Sequence, residues 1–263
     1  VVDLLAGRLG ADAGRTKFEG SVVALGDWAE IKAWGARIEE SGGILEDATV
    51  RVCAYETLAR RQQWAREFPV VLLAAIGVVS TCFYVLDRGR VRFIREAPAA
   101  GDAVLKALTA EISTDQGPLR LTHVEAEEFK TRGNYSRALN ARHEAPPVSV
   151  PWSDRNAEYM DMMIRPVIER ISSEIARSIQ FFQENAGQKV EAVFLTGGSS
   201  ELPNLITHIE SAVRLPVRFV DPFHGLTFRT PKVRDYVEKQ KSRLAVAAGL
   251  ALGGPVSMSL LPR

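Results

Sequence analysis

The sequence predicts an α/β protein, and three observations carry that prediction. Segments with strand character alternate with segments whose apolar residues recur every three or four positions. The nineteen residues 68–86 carry no charge, are rich in Val, Leu, Ile, Phe and Tyr, and are broken by Pro69 and Gly77. A short apolar strand at 190–195 runs directly into Thr196-Gly197-Gly198-Ser199-Ser200, with a helix behind it.

Residues 1–20 are weakly patterned, with glycines at 7, 10, 14 and 20. The run 21–25 reads as a short strand, and Asp27 can cap the helix that follows. In that helix Trp28, Ile31, Trp34 and Ile38 share one face, read as core with a partner groove as the alternative, and Gly42-Gly43 stops it. Residues 44–52 read as a strand and 54–66 as a helix. The uncharged run could span a bilayer by length. Its composition favours two buried strands joined at Gly77, and Asp87-Arg88-Gly89 then turns the chain into a third strand, in which Val91 and Phe93 alternate with Arg90 and Arg92. Gly101 opens a helix that sets Val104, Leu105, Leu108 and Ile112 on one face. Thr122 and Glu125 form a capping box for the next helix. Residues 133–157, with Pro146, Pro147 and Pro151, read as an exposed loop. Ile164, Ile168, Ile171, Ile175 and Ile179 define a long amphipathic helix whose regular part starts near Pro166. A further helix is expected from Pro203, a strand at 217–220 and a small-residue helix at 244–252.

The composition excludes several classes. With 46% apolar and 25% charged residues in 263, the chain is neither disordered nor in need of staples. Two cysteines, Cys53 and Cys82, both read as inert core residues, rule out a disulfide scaffold, and four scattered histidines without a C-x-x-C offer no structural zinc site. A balance of 33 basic against 32 acidic residues argues against a nucleic-acid surface.

The segment at 190–213 carries the chemistry. Two glycines after a strand let a ligand approach the backbone, and the helix behind them presents free amides. An ordinary tight turn is the plainer explanation. Neither a Walker A motif nor a G-x-G-x-x-G fingerprint occurs.

The run Val-Phe-Leu-Thr-Gly-Gly-Ser-Ser-Glu-Leu-Pro-Asn-Leu at 193–205 resembles the adenosine motif of the superfamily of actin, heat-shock chaperones and sugar kinases. Its neighbours narrow the resemblance. The long helix precedes it, Leu-Pro-Val-Arg-Phe-Val-Asp-Pro-Phe at 215–223 follows, and Ala-Val-Ala-Ala-Gly-Leu-Ala-Leu at 245–252 closes the pattern. Upstream stand Ala-Gly-Asp-Ala-Val-Leu-Lys-Ala-Leu at 100–108 and Val-Glu-Ala-Glu-Glu-Phe-Lys-Thr-Arg-Gly at 124–133. This order is similar to the PilM family, the FtsA-like, actin-fold proteins of type IV pilus assembly.

The resemblance implies an actin-like, ribonuclease H-like lobe over 69–263, with a helical and loop insert around 101–157. A small α/β subdomain over 1–68 would precede it, and the front of the first lobe, with the first phosphate motif, would be lacking. It implies an ATP or ADP site, weakened or lost, whose residues would be Gly77, Gly101, Glu127, Lys130, Gly197, Gly198 and Ser199. Asp102 would lie beside Gly101 near the phosphates. The family's metal-positioning Asp falls on Ala75, so neither a catalytic residue nor a metal is expected. The function implied is a non-catalytic, cytoplasmic adaptor, reaching the inner membrane through the cytoplasmic tail of a PilN-like partner. Homo-oligomerisation stays open. The alternatives are an ATPase of the actin or heat-shock-chaperone type and an FtsA-like filament former.

Overall fold

The computed structural model describes residues 4–6, 22–24, 27–62, 64–114, 117–132, 154–253 and 259–261. Two short strands, β1 (Leu4–Ala6) and β2 (Val22–Ala24), pair antiparallel ahead of helix α1 (Trp28–Glu40). Helices α2 (Arg51–Arg61) and α3 (Trp64–Glu67) lead into β3 (Val70–Ile76), β4 (Thr81–Asp87) and β5 (Arg90–Ala97). Then come α4 (Gly101–Leu108), a small hairpin of β6 (Ile112–Thr114) and β7 (Gly117–Leu119), α5 (His123–Arg132) and the long α6 (Asp154–Ala186). The chain closes through β8 (Ala192–Thr196), α7 (Leu205–Val213), β9 (Val217–Phe219) and α8 (Pro231–Leu252).

The main sheet runs β5-β4-β3-β8-β9. β3 and β4, and β4 and β5, are antiparallel, whereas β3–β8 and β8–β9 are parallel. Every residue of β3 is buried, because helices cover both faces of the sheet. Val70, Leu72, Ala74 and Ile76 point into a core built with α4, α6 and α7. Val71, Leu73 and Ala75 point the other way, into a core with α2 and α8. A strand buried on both sides needs no polar alternation, which explains the uncharged run without a membrane. No helix among the described residues is long and apolar enough to cross one.

Ile164, Ile168, Ile171, Ile175 and Ile179 lie buried along α6, as their spacing predicts. This helix starts at Asp154, twelve residues before Pro166, so the sequence placed its start too late and counted 154–157 as loop. The rest of that expected loop, 133–153, lies outside the described residues. Pro166 lies on an exposed stretch of the helix, and so does Met162, whose carbonyl loses its helical donor to the proline.

Four other expectations are corrected. Residues 44–50 form no strand; Val50 is the extended N-cap of α2, and Val52, Cys53, Tyr55, Leu58 and Ala59 then bury one helical face. Ile112 belongs to β6 rather than to α4. α8 extends back to Pro231, with Thr230 Oγ1 accepting from Val233 N–H at its start; residues 231–243 are too polar to show helical periodicity. Trp28 and Trp34 are 42% and 56% exposed rather than core. The cap at Asp27 and the Thr122–Glu125 capping box form as expected, the latter through a 2.8 Å bond from Thr122 N–H to Glu125 Oε2. Both cysteines are buried and neither forms a disulfide, Cys53 on a helix.

Candidate functional site

The parallel pairing of β3 with β8 sets Ala75 opposite Thr196, so both strands end side by side. Three chain segments then converge there. After β3, Gly77 N–H donates to Ser80 O at 3.0 Å and closes a tight hairpin. The tip of that hairpin is stitched to the start of α4: Gly101 N–H donates to Gly77 O at 3.1 Å, and Asp102 N–H to Val78 O at 2.7 Å. After β8, Gly197 takes φ +95°, and Ser199 N–H donates to Ile76 O at 3.1 Å. A Cβ on Gly197 would overlap the Ile76 carbonyl oxygen, so glycine is required on two counts.

Gly101 is the meeting point. A Cβ there would overlap Ser199 Oγ and lie 3.1 Å from Lys130 Nζ. The capping box fixes the start of α5, and one helical turn beyond Glu125 and Ala126 the Lys130 side chain turns inward, 3% exposed. Its ammonium lies 3.1 Å from Glu127 Oε2, and Glu127 itself is 47% exposed. Thus Gly77, Gly101, Glu127, Lys130, Gly197 and Ser199, far apart in sequence, surround one position. Gly198 turns away toward α8, where a Cβ would meet Arg243 Nε at 3.5 Å. The Asp102 carboxylate is engaged by Lys106 at 2.6 Å. Sequence reasoning missed Ser242, whose carbonyl accepts from Gly197 N–H at 2.8 Å and Thr196 Oγ1 at 3.1 Å. Backbone acceptors leave no sequence signal, and α8 was not legible there.

The fold family implies a nucleotide with a divalent cation. The glycine turn, the buried Ser199 hydroxyl and the Glu127–Lys130 pair suit the polar, hydroxyl-bearing end of such a ligand. The cation end fits poorly. Ala75 offers a methyl group, 5% exposed, at the end of β3. Among the described residues no three His, Cys, Asp or Glu side chains are placed to hold a metal.

A cavity of about 520 Å³ lies elsewhere, between the start of α2 and β4–β5, lined by Val50, Arg51, Cys82, Tyr84, Ile94 and Leu260 among others. Arg51 Nη2 stands 3.5 Å from Cys82 Sγ. Burial pushes the Cys82 thiol up, and Arg51 only partly offsets it. Burial pulls Arg51 down, but Tyr84, Cys82 and Tyr55 outweigh this and hold its pKa above the ordinary value. Tyr55 is pushed up to about 12 by burial, and Tyr84 higher still, their rings 5.2 Å apart. Both raised phenols keep their protons in the folded chain after the unfolded chain has lost them. The stability they contribute is therefore complete below about pH 10 and is lost as pH rises through the folded-state values. For Tyr55 alone the loss is on the order of 3 kcal/mol by pH 12, at 1.36 kcal/mol per unit. Phenolate absorbance during an alkaline titration is expected to show two of the five tyrosines ionising only as the protein unfolds.

The sheet order, with a three-stranded antiparallel meander beside parallel strands and a glycine turn at the carboxyl ends of β3 and β8, defines an actin-like lobe. Solved structures agree. The chain is similar to a chain of the "PilM-PilN type IV pilus biogenesis complex", at 22% identity and TM-score 0.64, covering 96% of this chain and 66% of that one. It is similar to MreB5 of Spiroplasma citri bound to ADP, at 13% identity and TM-score 0.54, and to the AMPPNP-bound form, at 12% and 0.51. The latter two comparisons cover 86% of this chain each, and 65% and 64% of the other chain respectively. The chain thus spans about two thirds of the length of these structures. It belongs to the type IV pilus assembly protein PilM family, whose profile matches residues 49–254.

Proposed function

We propose that this chain is a non-catalytic assembly adaptor of a type IV pilus inner-membrane platform. It would bind the cytoplasmic tail of a PilN-like membrane protein and reach the membrane through it. The observation that carries this reading is Ala75. Phosphoryl transfer rests on positioning and electrostatics around a metal, and a methyl at the end of β3 supplies neither. Family membership and the likeness to a chain solved in a PilM–PilN complex support the pilus role. On the same reading, Gly197, Ser199, Gly101, Lys130 and Glu127 hold the adenosine side of ATP or ADP without turnover.

The tail needs apolar anchors, and α1 presents them. Trp28 and Trp34 stand exposed, with Lys32 Nζ 5.3 Å from the Trp28 ring and the Arg37 guanidinium 5.1 Å from the Trp34 ring. Exposed tryptophans of this kind dominate peptide interfaces. Calorimetry with a peptide copying the tail is expected to show binding, and Trp34→Ala to weaken it by about tenfold or more. No heat with any such tail at high peptide concentration would defeat the adaptor reading. Phosphate release from ATP with magnesium is expected to stay at the buffer rate. A rate that Lys130→Ala abolishes would establish an ATPase instead.

A further inference from the structure

The nucleotide-side reading leaves open which part of the ligand this lobe grips. Among the described residues, Ser199 Oγ is the buried side-chain polar atom with no protein partner. The residue is 1% exposed, and its hydroxyl is neither donating nor accepting. A buried hydroxyl in that state costs stability. It stands against Gly101 Cα, on the side where Lys130 Nζ also lies, beneath a rim of Gly77, Gly197 and Glu127, which are partly exposed. A ligand hydroxyl or ring nitrogen arriving there would satisfy Ser199, and the Glu127 carboxylate can accept from a second hydroxyl.

The hairpin side of the site is unlike this. The hairpin tip carries Val78 and Val79, 56% and 79% exposed. Ala75 is a methyl, and the Asp102 carboxylate is held by Lys106. Among the described residues no three carboxylate, imidazole or thiol groups gather here to hold a cation, and the donors Lys106 and Ser80 are already paired, with Asp102 and Glu96.

We infer that the lobe recognises the nucleoside end of its ligand alone and binds it independently of divalent cation. This rests on the nucleotide-side reading above. The consequences differ from those of a metal–triphosphate site. Removing the metal leaves affinity unchanged, and removing the phosphates changes it little. Ser199 is then a residue kept for the ligand at a cost to the empty protein. Ser199→Ala removes an unsatisfied hydroxyl, so the ligand-free Tm holds or rises while binding is lost.

The test is calorimetry on the 263-residue chain with adenosine, ADP and ATP, each in magnesium and in EDTA, alongside thermal melts. Expected are three affinities within about tenfold of one another, the same in EDTA, and no binding to Ser199→Ala of undiminished Tm. ATP binding that appears only with magnesium, or adenosine weaker than ATP by well over about tenfold, overturns the inference and leaves the nucleotide reading standing. No binding by any of the three compounds removes that reading, and the inference with it. Ser199→Ala that still binds, or that melts lower without ligand, shows the hydroxyl to be structural and overturns its role here.

Discussion

Gly197→Ala is expected to lower the Tm by about 10 °C or more, a loss of about 3–5 kcal/mol, and to abolish the nucleotide binding proposed above. Two costs combine. The residue sits at φ +95°, which a side chain rarely adopts, and the new methyl would overlap the Ile76 carbonyl oxygen. That oxygen accepts from Ser199 N–H, so the methyl must push apart the turn that seats Ser199. Gly187 provides the control. It also has positive φ, at +67°, but a Cβ there meets nothing within 4 Å. Gly187→Ala is therefore expected to cost only the backbone term, about 1–2 kcal/mol, and to leave binding intact. Equal losses from the two substitutions, measured by denaturant unfolding, would show that the close approach to Ile76 contributes nothing.

How much of this was legible follows from where the physics is written. The central strands were readable because burial on both faces demands an unbroken apolar run, and 70–76 has one. The isoleucines of α6 were readable because one stripe faces a sheet. α2 was misread in its first turn, since Arg51, Val52 and Cys53 suit a strand as well as a helix and only packing on the sheet decides. The first half of α8 was invisible because Val237 and Ser242 are its few buried residues before Ala245. Of the site, the Gly-Gly turn announced itself, while Lys130 and Glu127 entered through resemblance alone. Nothing in the sequence tells a buried lysine from a solvated one. That Lys130 lies beside Gly101 and Ser199 is a consequence of tertiary packing, which brings the segments after β3, β5 and β8 together at the carboxyl ends of the central strands.

Two helices, α2 and α8, come together closely on one face of the sheet. α8 meets α2 through small residues, Ala245, Ala248 and Gly249, and a Cβ on Gly249 would overlap the Ala54 carbonyl oxygen and lie 2.9 Å from Ala54 Cα. Gly249→Val places a branched side chain between two helix backbones, neither of which can yield without leaving the sheet. Overpacking of this kind costs about 1–3 kcal/mol where side chains can move, and more against backbone, so a loss of about 4 kcal/mol is expected. The damage should reach the Gly197 turn, because Ser242 on the same helix accepts from Gly197 N–H and from Thr196 Oγ1. Amide hydrogen exchange is the discriminating measurement. Faster exchange is expected at Gly197 as well as along α2, while the isoleucine stripe of α6, on the opposite face of the sheet, stays protected. If exchange rises along α2 and α8 yet leaves Gly197 unchanged, α8 covers the sheet without supporting the turn.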